Sequence, residues 1–108
     1  MPLNISVFNT TLHTLLSSQP LELQEEFQTK QIATYSIEET QPSKITLYVT
    51  SLLEDHPPAT YTFSLDTKEV KDLRENDGPL NQEKEKFLQA VITQSLEKQP
   101  QPDRKSVV

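Results

Sequence analysis

The chain has 108 residues, 16 of them acidic and 10 basic, which gives a formal net charge of −6 at neutral pH. This length is typical of one domain that can bury a core without disulfide bonds, and the chain has no cysteine. The acidic balance argues against nucleic acid as a direct ligand, because phosphate binding needs clustered Lys and Arg. The hydrophobic share of 33% predicts a small core, with some of the chain outside it.

Targeting signals are not evident at the amino terminus. Residues 1–16 have neither the basic region nor the long apolar region of a signal peptide. No run of the chain approaches the roughly 20 apolar residues of a membrane span. We therefore expect a cytoplasmic protein that does not bind a membrane.

Two helical segments are predicted before the first strand, over residues 3–17 and 20–30. In the first, apolar residues recur at i, i+4 and i+8, which forms one stripe. Asn4 or Ser6 is a candidate N-cap for it. In the second, Pro20 suits the first turn, where its missing N–H is not needed. The bend between them is compatible with an αα-hairpin or with one bent helix.

The clearest pattern in the chain lies in residues 44–66, KITLYVTSLLEDHPPATYTFSLD. Apolar residues alternate with Thr, Ser and Tyr in two runs, and this period of two is typical of a half-buried strand. Pro57 and Pro58 lie between the runs and cannot donate ladder hydrogen bonds, so they indicate a connection. The stretch predicts an antiparallel hairpin formed by residues 44–53 and 59–66.

Further strands are expected on both sides of this hairpin. Residues 32–38 favour a strand, although the same residues could continue the second helix. Residues 70–73 fit a short fourth strand, whose charged neighbours suit a sheet edge. The predicted fold is α+β. A small antiparallel meander of three or four strands, over about residues 32–73, is flanked by the amino-terminal helical segments and one carboxy-terminal helix.

The carboxy-terminal helix is predicted over residues 80–98. Its apolar residues form two adjacent i, i+4 rows, which make one core-facing stripe. Asp77 is the expected N-cap, with Pro79 in the first turn. Residues 99–108 contain two prolines and almost no apolar residues, so we expect a disordered tail there. The domain is expected to span residues 1–98.

No group of residues predicts catalysis or a cofactor. We interpret His13 as a residue at the border of an apolar stripe and His56 as part of a polar loop. A metal site needs three or four convergent ligands, which neighbours in one loop do not ensure. The single glycine, Gly78, leaves no Gly-rich loop for a phosphate. We therefore expect a protein that is not an enzyme and holds no cofactor.

The second face of the predicted hairpin is the strongest candidate for a binding site. If the apolar residues share one face, the other collects uncharged polar residues around one aromatic ring. They are Tyr48, Thr46, Thr50, Thr60 and Thr62. Such a face offers a tyrosine, which supplies contact area and a hydroxyl group to a partner. A sheet face that is merely exposed has the same composition, because Thr favours strands.

Two functions follow from this interpretation. The first is a protein–protein interaction or regulatory module whose partner is another protein. The alternative is a small-molecule-binding or catalytic domain, with a pocket between the sheet and the carboxy-terminal helix. A pocket needs polar groups among apolar ones, and the predicted core face offers none apart from Tyr35 or Tyr61. This composition favours the interaction module.

Overall fold

The computed structural model describes residues 3–53, 55 and 57–98, which form three helices and four strands. The elements are α1 (Ile5–Leu16), α2 (Leu21–Phe27), β1 (Lys30–Glu38), β2 (Ser43–Ser51), β3 (Ala59–Asp66), β4 (Glu69–Glu75) and α3 (Gln82–Lys98). The strands form one antiparallel sheet in the order β1-β2-β3-β4. The predicted α+β meander, with helices before and after it, is confirmed.

The hairpin of β2 and β3 forms the centre of the sheet. Its register places Ile45 opposite Phe63 and Leu47 opposite Tyr61, and all four side chains are buried. Because successive side chains on a strand point to opposite faces, these pairs define one apolar face. The intervening Thr, Ser and Tyr residues lie on the other face.

A bulge explains why residues 32–38 were ambiguous in the sequence. Ile32 is buried, and Tyr35 and Ile37 pack against the same core, although a regular strand would turn positions 32 and 35 to opposite faces. The register shifts between Ile32 and Thr34, so one extra residue of β1 is accommodated there. The bulge brings both sets of apolar side chains to the core.

A second bulge, in β4, likewise turns the apolar side chains on both sides of it toward the core. Asp72 and Leu73 together oppose a single residue of β3, and Asp72 has a φ of 56°, in the left-handed region. As a result Val70 and Leu73, which are three residues apart, both reach the core. The strand is longer than predicted, because its pairing continues from Glu69 to Glu75.

All three helices contribute to the core on the apolar face. Phe8 of α1, Phe27 of α2 and Phe87 of α3 are each almost fully buried. The Phe27 ring lies 5.4 Å from the Phe87 ring and 6.4 Å from the Tyr61 ring, measured between centroids. α1 and α2 are separate helices, joined by residues 17–20, and α2 ends earlier than predicted because Lys30 already belongs to β1.

The start of α3 corrects one expectation. Asn81 accepts a hydrogen bond from the backbone N–H of Lys84 at 2.8 Å, so Asn81 and not Asp77 caps this helix. Asp77, with a φ of 65°, lies in a tight turn that Glu75 and Gly78 close with two backbone hydrogen bonds. The Asn-Asp-Gly sequence therefore forms the turn that ends β4. At α1, the predicted Asn4 cap is confirmed by its bond from Val7 N–H at 3.0 Å.

Some predictions concern regions beyond these elements. β2 ends at Ser51, whereas the strand was predicted to continue to residue 53. The predicted tail, residues 99–108, and His56 lie outside the described residues. No helix in the described part of the chain is both long and apolar enough to cross a membrane.

Replacing Ile92 with Asp should unfold the protein or nearly do so. Ile92 is buried in α3 against the sheet, and a carboxylate without a partner in this position costs several kcal/mol, which is comparable to the whole stability of a small domain. Denaturant unfolding of both proteins measures the difference. The matched control is Thr93→Asp, one residue along on the exposed side of α3. Equal stability of the two variants would show that the apolar stripe does not face the core.

Candidate functional site

The sheet face opposite the helices holds all five residues singled out in the sequence. We call it the open face. Tyr48 is 40% exposed, and Thr46, Thr50, Thr60 and Thr62 are partly exposed. Tyr48 lies opposite Thr60, and Thr46 opposite Thr62, so these four residues form two adjacent cross-strand rows, and Thr50 lies opposite Gln31 of β1. The Thr60 backbone N–H also donates to the Asn76 side chain at 3.0 Å, which holds the end of this row in place.

The outer strands widen the open face with residues that the sequence pattern did not assign. On the β1 side, Thr34 lies opposite Tyr48, and Ser36 lies opposite Thr46. On the β4 side, Arg74 lies opposite Thr62. The bulges in β1 and β4 shift these residues relative to a regular alternation, so their face could not be predicted. The open face thus has an uncharged centre, with charge toward its margin.

Exposed apolar side chains adjoin one end of the open face. Leu52 and Leu53 follow β2 directly and are 69% and 43% exposed. The Leu52 backbone N–H donates to the Thr29 carbonyl at 2.8 Å, which fixes the chain where it leaves the sheet. Of the four large apolar residues that are exposed in the described chain, three are Tyr48, Leu52 and Leu53. Both leucines were predicted to lie in the strand of residues 44–53, and the sequence pattern did not indicate their exposure.

A cluster of charged residues lies behind the sheet, near the start of α3. The Lys84 ammonium group is 2.6 Å from Glu26 Oε2 of α2 and 2.9 Å from Glu75 Oε1 of β4. The Tyr61 hydroxyl of β3 donates to Glu75 Oε2 at 3.0 Å. We call these four residues the ion cluster. Because its members come from four elements, it joins two helices to two strands.

The electrostatics of the ion cluster keep both Tyr61 and Lys84 protonated. Burial, reinforced by the negative charge of Glu75, raises the pKa of Tyr61 far above its ordinary value. Burial alone would lower the pKa of Lys84, but its hydrogen bonds and charge interactions with Glu26 and Glu75 outweigh this and raise the pKa. At neutral pH the phenol is therefore neutral and the ammonium charged, so neither group is ready to exchange a proton. The ion cluster therefore has a structural role, which is to link four elements of the fold.

The cavities in the described residues are open clefts and grooves at the surface. A cleft of about 210 Å³ lies beside the ion cluster, between Lys30 and Asn76. A groove of about 550 Å³ separates the start of β4 from α3, with Val70 and Ala90 among its lining. No group of three or more His, Cys, Asp or Glu is placed to hold a metal ion in the part of the chain that the structure describes. His13 is exposed on α1.

Comparison of the chain with protein-family models, with curated proteins and with solved structures found no match.

Replacing Lys84 with Met should destabilise the protein by about 2 kcal/mol, because two carboxylates then lose their shared hydrogen-bond donor. Methionine keeps the aliphatic stem of the side chain, so the change isolates the charge. The measurement is the free energy of unfolding in denaturant.

Lys71→Met is the matched control for that variant. Lys71 also bridges two carboxylates, those of Asp66 and Glu69, but its side chain is 48% exposed, whereas that of Lys84 is 12% exposed. Solvent screens exposed ion pairs, so we expect a loss of less than about 1 kcal/mol. Equal losses in the two variants would contradict a special role of the ion cluster.

The stability of the protein should fall as the pH rises above about 10, because the unfolded chain then releases protons that folded Tyr61 and Lys84 retain. Tyr61→Phe removes one of these two contributions. Its unfolding free energy should decline less steeply with pH, by up to about 1.4 kcal/mol per pH unit. Denaturant unfolding at a series of alkaline pH values gives both slopes. Identical slopes would mean that Tyr61 ionises in the folded protein as easily as in the unfolded chain.

Proposed function

We propose that this protein is a non-enzymatic protein–protein interaction or regulatory module, and that its contact surface is the open face. The observation that supports the proposal is an uncharged sheet surface centred on Tyr48, together with the exposed side chains of Leu52 and Leu53, which directly follow β2. Protein contact surfaces are depleted of charge at their centre, enriched in aromatic residues and ringed by polar groups. The open face has this arrangement.

The contribution of each part of the surface follows from its chemistry. Tyr48 offers a rigid ring with a hydroxyl group, and residues of this kind often dominate binding energies. The threonines beside it present hydroxyl groups that both donate and accept hydrogen bonds. Leu52 and Leu53 offer apolar area to a side chain of the partner. We expect the partner to place an apolar residue against the leucines and polar groups against the threonines.

The ion cluster supports the surface from behind. Tyr61 of β3 is bonded to Glu75 of β4, and Lys84 ties Glu75 to Glu26 of α2. These bonds limit sliding between the strands that carry Thr60, Thr62 and Arg74. A surface that is rigid before binding loses less conformational entropy when a partner docks.

The charge of the whole chain bears on the class of partner. A net charge of −6 disfavours nucleic acid and attracts basic proteins over long range. The proposal therefore includes a protein partner, no nucleic acid and a cytoplasmic site of action. The alternative, a small-molecule site between the sheet and α3, would use the groove beside Val70 and Ala90. Its remaining lining consists mostly of charged and amide side chains, and it is an open surface groove, whereas a ligand pocket encloses most of its ligand.

The double variant Tyr48→Ala, Thr62→Lys should lose its partner and keep its fold. Removing a central tyrosine and adding a charge to an uncharged contact should each weaken binding, and together they should do so by at least about tenfold. The partner is first captured with the parent protein from an extract of the host and then purified. Titration calorimetry with this one partner compares the parent with the variant.

The matched control is Leu21→Ala, Thr93→Lys, which makes the same kinds of change on α2 and α3, away from the open face. Both positions are exposed. We expect parental affinity. Circular dichroism and thermal unfolding confirm that both double variants are folded. Parental affinity of a folded Tyr48→Ala, Thr62→Lys variant would refute the open face as the contact surface.

A further inference from the structure

Two stretches of the chain carry no acidic or basic side chain, although the chain as a whole is highly charged. Residues 3–21 contain no Asp, Glu, Lys or Arg, and the same is true of residues 31–37. The first stretch includes all of α1, and the second most of β1. The side chain of Asn9 contacts Ile32, so these two uncharged stretches lie side by side. We call them the uncharged side.

The uncharged side includes an unprotected sheet edge. β1 and β4 are the outer strands of the sheet. β4 has five charged residues among seven and a bulge at Asp72, which are common protections against pairing with another strand. In the part of the chain that the structure describes, the edge of β1 is blocked at one point: the Ile32 N–H donates to Asn9 Oδ1 at 2.7 Å, and Asn9 Nδ2 donates to the Ile32 carbonyl at 3.1 Å. Within the described residues, no strand pairs with the outer edge of β1 beyond this point.

We propose that this edge binds a second copy of the chain, with the two β1 strands antiparallel about a twofold axis at Ser36. Asn9 bonds the outward-facing N–H and C=O groups of Ile32, and the bulge follows directly. The part of the β1 edge that is left for pairing is therefore residues 34–38, whose midpoint is Ser36. A twofold axis there makes Ser36 its own partner. The result is a continuous sheet of eight strands.

The residues that this register brings together are complementary. Tyr35 of each copy lies opposite Ile37 of the other, and pairs of an aromatic and a β-branched residue stabilise antiparallel strands. Both side chains are only half buried at the margin of the core, so the second copy would complete their burial. On the open face, Thr34 of each copy lies opposite Glu38 of the other, and no charge faces a like charge.

The charge distribution favours a second copy on this side. Two chains with a net charge of −6 each repel one another over long range. Contact through the uncharged side keeps the acidic groups of α2, β4 and α3 away from the interface. α1 of each copy lies beside β1, and its exposed residues, such as Thr10, His13 and Thr14, include no Asp, Glu, Lys or Arg.

The twofold axis can be tested by introducing a positive or a negative charge at Ser36, which is exposed on the open face. In Ser36→Lys a lysine faces a lysine across the axis, and in Ser36→Glu a glutamate faces a glutamate. Light scattering and sedimentation should show the parent as a dimer and each variant alone as a monomer. An equimolar mixture of the two variants should be a dimer again, because Lys then faces Glu.

The matched control is Thr62→Lys, which adds the same charge to the open face on an inner strand and should stay a dimer. Because the chain has no cysteine, Ser36→Cys provides a second test that does not depend on charge. It should form a disulfide-linked dimer under mild oxidation, and Thr62→Cys should not. A parent that is monomeric at every accessible concentration, a folded Ser36→Lys variant that stays dimeric, or a Ser36→Cys variant that does not cross-link would each overturn the proposal.

Discussion

The strict alternation of side chains in β2 and β3 is the constraint on which the rest of this structure depends. Ile45 and Leu47 pair with Phe63 and Tyr61 on one face, so the helices have a single apolar surface to cover. Burial of that surface places α1, α2 and α3 on the same side. The opposite face, with Tyr48 near its centre, is left to solvent or to a partner. The open face is thus a consequence of how the core is formed.

The meander reaches four strands only because two bulges correct its outer strands. Without the shift after Ile32, Tyr35 and Ile37 would face away from the core, and without the left-handed Asp72, Val70 or Leu73 would do so. The bulges also set which residues stand beside the central hairpin. Ser36 and Arg74 flank Thr46 and Thr62 for this reason. The shape of the core and the composition of the open face are therefore linked.

The two edge strands of the sheet differ in their charge and in their contacts with the helices. β4 is charged and bulged, and the ion cluster ties its end to α2 and α3. β1 carries no charge between Lys30 and Glu38, and within the described residues its outer edge is blocked where Asn9 reaches Ile32. The centre of a protein contact surface is usually depleted of charged residues. The open face and the uncharged side are both regions of this kind, and they adjoin along β1.

The sequence by itself determined the helices, the central hairpin and the face on which Tyr48 lies, because these depend on local periodicity and on residue type. Only the tertiary structure decided the face of each outer-strand residue, since a bulge moves the alternation by one residue without a local signal. The same is true of the ion cluster. Glu26, Tyr61, Glu75 and Lys84 are far apart in the chain, and only the packing of four elements brings them within hydrogen-bonding distance.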